Sequence, residues 1–379
     1  MKAWHFSETA YHLLPPAETY DSIRVSLPNK LYDPKIGADL YHRFLDEWLL
    51  AEDEGLDIML NEHHQTATCV DPAAPLMLSI LARQSHKARL LILGNPIANR
   101  RQPVRVAEEM AMIDVISRGR LEAGFVRGVP YEISPANSNP VRMNERLFEA
   151  LDLIVKTWTS HDGPVSFEGK FFHARQINIW PRPYQAPHPP IWISTTSPGG
   201  AARVGERGYV QATFLTGFDG TKAIFDSYRN AWTKAGRGAM PLDRLAYAAM
   251  VYTGETEAEA HAGAEKLLWY ITSNKVPPHF ASPPGYVPVE AGVKMLRGAE
   301  HPLSAFAKAA SVEAAIKAGI MMCGTPDQVV KQIRAVYDHV GGFGHLLNMG
   351  QAGFLEADET VRGIKLFARE VYPALREFA

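Results

Sequence analysis

The stretch LLILGNPIANRRQPVRVAEEMAMIDVISRGRLEAGFVRG, residues 90–128, decides the fold class of this chain. It begins with an apolar run short enough for a buried strand, and Pro103 then stands at the favoured first position of a helical pattern. A second apolar run follows at residues 121–126. Strand, crossover helix and strand form the unit from which parallel sheets are built.

The same alternation runs outward in both directions from this stretch. Strands are predicted at 3–7, 56–60, 89–93, 121–126, 190–194, 210–215, 245–252 and 345–349. Each is followed by a helical pattern, and eight such units predict a single α/β domain over residues 1–379, folded as a (β/α)8 TIM barrel. An open doubly wound sheet is the alternative.

Composition narrows the function classes. The 379 residues are 46% hydrophobic, and 39 basic against 41 acidic residues give a net charge of -2. This balance provides no basic field for nucleic acid and no polybasic membrane segment. Two cysteines and no apolar run of membrane-spanning length lead us to expect a cytoplasmic enzyme.

Two long connections interrupt the alternation, near residues 8–36 and 274–311. Loops that follow barrel strands lie at the catalytic end, so these insertions are predicted to be lids over the C-terminal mouth. Peripheral packing or dimer contacts are an equal alternative. Two short strand-like runs around Gly169 form a further interruption.

Standard catalytic motifs are missing from the sequence. It contains no G-x-G-x-x-G, no P-loop, no G-x-S-x-G and no H-E-x-x-H. Dinucleotide binding by a Rossmann unit, phosphoryl transfer and a serine-hydrolase elbow therefore have no support.

The densest polar cluster is Asn61-Glu62-His63-His64, directly after the second strand. Successive side chains on a strand face opposite sides, so one imidazole can face the barrel mouth while the other packs outward. We favour a catalytic role over a purely structural one. Metal binding by Glu62, His63 and Asp71, as in a barrel hydrolase, is a weaker alternative because nothing completes the ligand set.

Two further features suggest a bound cofactor. Gly94-Asn95-Pro96 follows the third strand, where proline makes a cis bond inexpensive, although a plain strand-ending turn explains it as well. Arg127 ends the fourth strand. Residues 195–200, which carry hydroxyl groups or are glycine apart from one proline, lie between the fifth strand and the helix that follows it. Such a helix start can bind phosphate, whereas its hydroxyls alone are more often a helix cap.

These segments resemble a known family, the bacterial luciferase-like flavin-dependent monooxygenases. The resemblance rests on NEHH at 61–64, on residues 90–128, and on PPIWISTTSPGGAARVGERGY at 189–209. It covers most of residues 1–260 together with the last strand and helix, and it does not extend to 274–324.

The resemblance implies a barrel that binds reduced FMN (FMNH2) at its C-terminal mouth. A separate NAD(P)H:flavin reductase delivers the cofactor, and O2 adds to it as a C4a-(hydro)peroxide that oxygenates a small organic substrate. Hydride transfer with the deazaflavin F420 uses the same barrel and is the alternative, as is a flavin-binding protein without turnover. Members of the family are usually homodimers, so the resemblance implies a homodimer.

The resemblance also assigns residues. His63 matches the catalytic histidine and Glu62 and His64 its neighbours. Asn95 and Pro96 match the bulge beneath the flavin ring, where the family has a non-prolyl cis bond and where Pro96 makes a cis bond less costly. Arg127 matches a phosphate-binding arginine. The rest of the phosphate site is Thr196, Ser197, Gly199 and Gly200, where the family often has Glu and Thr at 196 and 200, and Val126 replaces a reactive cysteine of the luciferases.

The substrate is not readable from the sequence. Candidate contacts on the loop after the first strand are Tyr11, His12, Tyr20 and Arg24, and near the last strand Asn348 and Gln351. Arg100 and Arg101 are expected to lie on the surface rather than to bind an acidic substrate.

Overall fold

The computed structural model describes residues 1–274, 276–287, 289–297 and 309–378. Its strands are β1 (Lys2–Ser7), β2 (Asp57–Leu60), β3 (Leu90–Asn95), β4 (Leu121–Phe125), β5 (Val165–Glu168), β6 (His173–Ile177), β7 (Ile191–Ser194), β8 (Val210–Phe214), β9 (Leu245–Thr253), β10 (Met321–Gly324) and β11 (His345–Gln351). All eight strands predicted from the sequence are present.

Those eight strands close into a parallel barrel. The hydrogen-bonded order is β1-β2-β3-β4-β7-β8-β9-β11, and β11 returns to pair with β1. The barrel prediction is therefore confirmed and the open sheet is wrong. The short strand β10 pairs with the end of β9, from Met321 opposite Met250, and was not predicted.

Helices surround the barrel. Their bounds are α1 (Pro34–Asp53), α2 (Ala74–Gln84), α3 (Pro103–Ile116), α4 (Met143–Thr159), α5 (Pro198–Arg207), α6 (Gly217–Lys234), α7 (Glu257–Thr272), α8 (Pro278–Ala281), α9 (Val289–Leu296), α10 (Val312–Ala318), α11 (Pro326–Val340), α12 (Ala357–Leu366) and α13 (Tyr372–Leu375). Helix α1 begins at Pro34 because the Asp33 side chain caps it and proline is favoured at the first helical position.

Alternation along the strands separates two apolar clusters. The inner one fills the barrel and includes Trp4, Phe6 and Trp192, whereas Ala3 and Ile58 point outward against the helices. The indole of Trp192 donates a hydrogen bond of 2.6 Å to Glu122 within this interior. The barrel is thus a packed core, and ligands can enter only at its ends.

The interruptions have structure of their own. β5 and β6 form the expected antiparallel hairpin around Gly169. The 8–36 insertion contributes buried residues, including Glu8 and Arg24, and the 274–311 insertion contributes α8 and α9. Residues 275, 288 and 298–308 of that second insertion lie outside the described residues.

Among the helices of the described ranges, none has the length and apolar character needed to cross a membrane.

Candidate active site

Four neighbouring strands deliver polar residues to one end of the barrel. Glu8 follows β1, His63 follows β2, Asn95 ends β3 and Arg127 follows β4. Parallel strands all end at the same mouth, so the order of pairing brings these side chains to one rim.

His63 is held through its Nδ1 nitrogen. Nδ1 lies 3.0 Å from Oε1 of Glu132 and 3.2 Å from the hydroxyl of Tyr131. Glu132 and Tyr131 belong to a short helical turn after β4 and are both buried. Sequence reasoning missed both, because no motif links them to a histidine 69 residues away.

Glu132 keeps its negative charge despite burial. Burial raises the pKa of its carboxyl. The hydrogen bond from His63, the positive charge that His63 has when it is protonated, and the backbone N–H of His64, 3.0 Å away, outweigh the effect of burial. The net result is a pKa below the usual value. Glu132 is therefore ionised at neutral pH.

Glu62 forms a separate cluster on the outward side. It is buried, pairs with Nη2 of Arg100 at 2.5 Å, and lies 3.0 Å from Nε2 of His64. Burial lowers the pKa of His64, but the hydrogen bond and charge of Glu62 raise it above its usual value. Arg100 lies at the surface with 34% of its side chain exposed, while its guanidinium is paired with the buried Glu62 carboxylate; Arg101 is exposed.

The metal alternative finds no ligand set. In the described part of the chain, no group of three or more His, Cys, Asp or Glu side chains is placed to hold a metal ion. Glu62 is committed to Arg100 and His64, and His63 to Glu132. Burial and the charge of Glu62 raise the pKa of Asp71 to about 8, so this carboxyl is mostly protonated at neutral pH.

The end of β3 differs from expectation in one respect. The cis peptide bond is Leu93–Gly94, and the Asn95–Pro96 bond is not cis. The pairing of β3 with β4 shifts register between Ile92 and Asn95, and a Cβ on Gly94 would lie 2.8 Å from Val126. Glycine at 94 is what permits this close approach, and tertiary contacts rather than Pro96 set the backbone here.

Unpaired amide groups lie beside this bulge. The side-chain nitrogen of Asn95 is buried and has no hydrogen-bond partner within the described ranges, and the same holds for both amide atoms of Asn99. Asn99 approaches Gly128, whose φ is +90°. Buried amides normally have partners, so these three atoms fit a polar ligand bound at the mouth.

The predicted phosphate residues lie on adjacent strands. Phe125 of β4 pairs with Ile193 of β7, which sets Arg127 near the start of α5. Ser197 caps α5 by accepting from the Gly200 backbone N–H at 3.3 Å. The partner of Arg127, however, is Tyr286: its guanidinium donates to the Tyr286 hydroxyl and lies 4.0 Å from the ring centre.

Of the substrate candidates, Arg24 contacts Tyr131, which in turn contacts His63. It donates to the Tyr131 hydroxyl and, at 2.7 Å, to Oδ1 of Asn274. Glu8, a residue that sequence reasoning missed, accepts a hydrogen bond from Asn61 at 2.7 Å, and burial raises the pKa of its carboxyl. A buried polar network therefore joins both insertions to the mouth.

The other candidates are directed elsewhere. The hydroxyl of Tyr11 accepts from the Asp33 backbone, and His12 packs against Phe354. Asn348 lies beside His5 on the outward face, and Tyr20 is half-buried on its loop. Gln351 donates to Thr360 at 2.8 Å, which ties β11 to α12.

The family model of luciferase-like monooxygenases matches residues 25–342 of this chain. The chain belongs to this family. A curated relative is the oxygenase component of the flavin-dependent trigonelline monooxygenase of Acinetobacter baylyi, 29% identical over 173 residues, 45% of this chain and 47% of that protein. Matches to the first curated relatives thus span less than half of those proteins, 41% and 47% of their length.

Two solved structures share the whole fold of this chain. The FMN complex of the oxygenating constituent of 3,6-diketocamphane monooxygenase from Pseudomonas putida has a TM-score of 0.73, with 19% identity over 98% of both chains. An F420-dependent secondary alcohol dehydrogenase has a TM-score of 0.69, with 17% identity over 99% of both chains. At these identities the likeness establishes the barrel alone.

Proposed function

We propose that this protein is a flavin-dependent monooxygenase that uses FMNH2 and O2 to oxygenate a small organic substrate. Family membership and the trigonelline relative, itself an oxygenase component, support this proposal. The observation that carries it is the shared mouth of His63, Asn95 and Arg127 at the ends of three adjacent strands. A separate NAD(P)H:flavin reductase is the expected source of reduced flavin.

The residues present fit a flavin. The unpaired amides of Asn95 and Asn99 offer hydrogen bonds to a polar planar ring. Arg127 and the α5 start, with Thr196, Ser197, Gly199 and Gly200, would hold the phosphate. When bound, reduced FMN supplies the electrons that activate O2, a task for which no amino-acid side chain is suited.

The side chains of this protein would orient the ligands and exclude water. Nε2 of His63 has no hydrogen-bond partner in the described part of the chain and is available to take or give a proton. Arg24 and Tyr286 fasten the two insertions to the rim next to His63 and Arg127. Water excluded in this way cannot divert reduced flavin and O2 to hydrogen peroxide.

Hydride transfer with F420 is the second candidate. The observation in its favour is the fold shared with the F420-dependent dehydrogenase. The two functions differ in their need for O2, since hydride transfer consumes none and places no oxygen atom in the product. A flavin-binding protein without turnover would bind FMNH2 and form no product.

A coupled assay under isotopically labelled O2 tests the proposal. The protein, a flavin reductase, NADH and FMN are incubated with a panel that includes N-heteroaromatic carboxylates and terpenes. We expect one labelled oxygen atom in a product that forms only with the protein present. Product without label in an F420-driven reaction would instead establish hydride transfer.

We also infer a homodimer from an apolar face on α2 and α3. Leu76 and Ile80 on α2 and Met112, Val115 and Ile116 on α3 are exposed, Leu76 to 66%. Helices α2 and α3 pack against each other, and large apolar side chains exposed on two neighbouring helices are typical of a protein interface. Light scattering should give about twice the mass of one chain, and Leu76→Glu should shift it toward one; a monomeric wild-type protein would refute the inference.

A further inference from the structure

The groups around Nδ1 of His63 differ in the hydrogen bonds they can make. A neutral imidazole carries a single proton, on Nδ1 or on Nε2, and only the unprotonated nitrogen accepts a proton. Nδ1 has two neighbours, the Glu132 carboxylate at 3.0 Å and the Tyr131 hydroxyl at 3.2 Å. The nature of these neighbours decides the tautomer.

Glu132 can only accept. Its Oε1 receives the backbone N–H of His64 at 3.0 Å as well as facing Nδ1 of His63. An ionised carboxylate has no proton to give, so a lone pair on Nδ1 would repel it across 3.0 Å. Because Glu132 is buried, no solvent is at hand to weaken that repulsion.

Tyr131 is the competing group, since a hydroxyl could donate to Nδ1 and force the proton onto Nε2. Arg24 donates to the same hydroxyl oxygen, and its guanidinium lies 4.4 Å from the centre of the Tyr131 ring. With Glu132 ionised, the proton on Nδ1 of His63 is donated to the carboxylate, which is a stronger acceptor than a phenol oxygen. The Tyr131 oxygen accepts from Arg24 and remains a weaker neighbour of Nδ1.

We propose that Glu132 is a positioning residue that fixes neutral His63 with its proton on Nδ1 and leaves Nε2 as the open acceptor. Nε2 is then the nitrogen that can take a proton from a ligand at the mouth. This last step rests on the proposed function, whereas the tautomer itself belongs to the protein without any ligand.

Nitrogen NMR of the ligand-free protein, labelled with 15N in histidine, reads the tautomer directly. The His63 signals are assigned by their loss in His63→Gln. We expect the wild-type signals of a protonated Nδ1 and an unprotonated Nε2. In Glu132→Gln the ratio of the Nδ1–H to the Nε2–H form should fall about tenfold or more, because an amide can donate as well as accept and Tyr131 is free to compete.

Two variants separate this effect from general disturbance. Glu168→Gln alters the exposed carboxylate 3.1 Å from Nδ1 of His173, and it should leave the His63 signals unchanged. Tyr131→Phe removes the competitor and should keep the Nδ1–H form, because Glu132 alone is sufficient.

A wild-type His63 protonated on Nε2 would overturn the proposal, as would an unchanged tautomer ratio in folded Glu132→Gln or loss of the Nδ1–H form in Tyr131→Phe. The measurement needs no flavin. Its failure is therefore distinct from failure of the monooxygenase proposal, which FMNH2 binding and labelled product decide.

Discussion

Two histidine–carboxylate pairs in this molecule have nearly the same geometry and very different surroundings. Nδ1 of His63 lies 3.0 Å from Glu132 at the barrel mouth, and Nδ1 of His173 lies 3.1 Å from Glu168 on the β5–β6 hairpin. Their side chains are 19% and 2% exposed in the first pair, and 61% and 53% in the second. The distances are nearly the same, but solvent screens mainly the hairpin pair.

The two carboxylates also reach a lowered pKa by different routes. At Glu132 burial raises the pKa, and contacts with His63 and His64 must overcome it. At Glu168 the hydrogen bonds from Arg175 and His173 lower the pKa with little opposing burial. A buried pair is thus sensitive to every change around it, whereas an exposed pair can be lost at little cost.

The largest expected difference between the two histidine–carboxylate pairs is in their contribution to catalysis. We predict that His63→Ala lowers the yield of oxygenated product roughly 100- to 10,000-fold, the usual contribution of a positioned acid or base, while FMNH2 still binds. The yield per reduced flavin measures this. His173→Ala is the matched control and should leave the yield unchanged; equal yields from both variants would remove His63 from the mechanism.

The next difference is in stability. Arg24→Ala takes a buried cation from Tyr131 and Asn274 and leaves Glu8 without its nearby positive charge, so we predict a loss of about 3 kcal/mol in unfolding free energy. Urea unfolding measures it. In Arg175→Ala, which loses the exposed contact with Glu168, the midpoint should stay where it is. Equal shifts would mean that burial does not distinguish the two regions.

Ligand binding gives a smaller difference. Arg127→Ala should weaken the binding of FMNH2 about tenfold or more. It should weaken the binding of reduced riboflavin much less, because riboflavin lacks the phosphate that a guanidinium binds in bidentate geometry. Anaerobic fluorescence titration gives both dissociation constants. Arg142→Ala serves as the control, because Arg142 is an exposed arginine directly before α4. Equal weakening of both flavins would exclude a phosphate role for Arg127.

The smallest effect is a pH dependence of stability. The pKa of Glu132 is lowered on folding, so its stabilising contribution is present above the unfolded value of 4.5 and is lost as pH falls through the lower folded pKa. Near neutral pH the free energy of unfolding of the wild type should therefore exceed that of Glu132→Gln by about 1 kcal/mol, and this difference should close as the pH falls below 4.5. A gap that widens in acid would contradict this sign. Glu168→Gln should follow the wild-type curve throughout.

The sequence was sufficient for the barrel because its signal is local. Each barrel strand is an apolar run followed by a helix period, and all eight were found in place. The strand β10 was not predicted because four residues, Met321–Gly324, carry too little pattern, although Gly319 stands just before the strand and Gly324 ends it. The family was recognised from three segments and is confirmed by the match over residues 25–342.

The site was only partly readable, because its contacts join distant parts of the chain. His63 could be identified as a histidine at a strand end. Its partner Glu132 could not, because the packing of the short helical turn after β4 brings it to His63. The cis bond was misplaced by two residues because the fit of Gly94 against Val126 is a tertiary contact. Arg24 was proposed for the substrate, whereas the structure ties it to Tyr131 and Asn274.

The most direct test of the central claim is an anaerobic titration of the protein with FMNH2 and, separately, with reduced F420. The account predicts saturable binding of FMNH2 at one site per chain, weakened in Arg127→Ala, with no comparable binding of F420. Tight binding of reduced F420 together with failure to bind FMNH2 would contradict it and would reassign this barrel to hydride transfer.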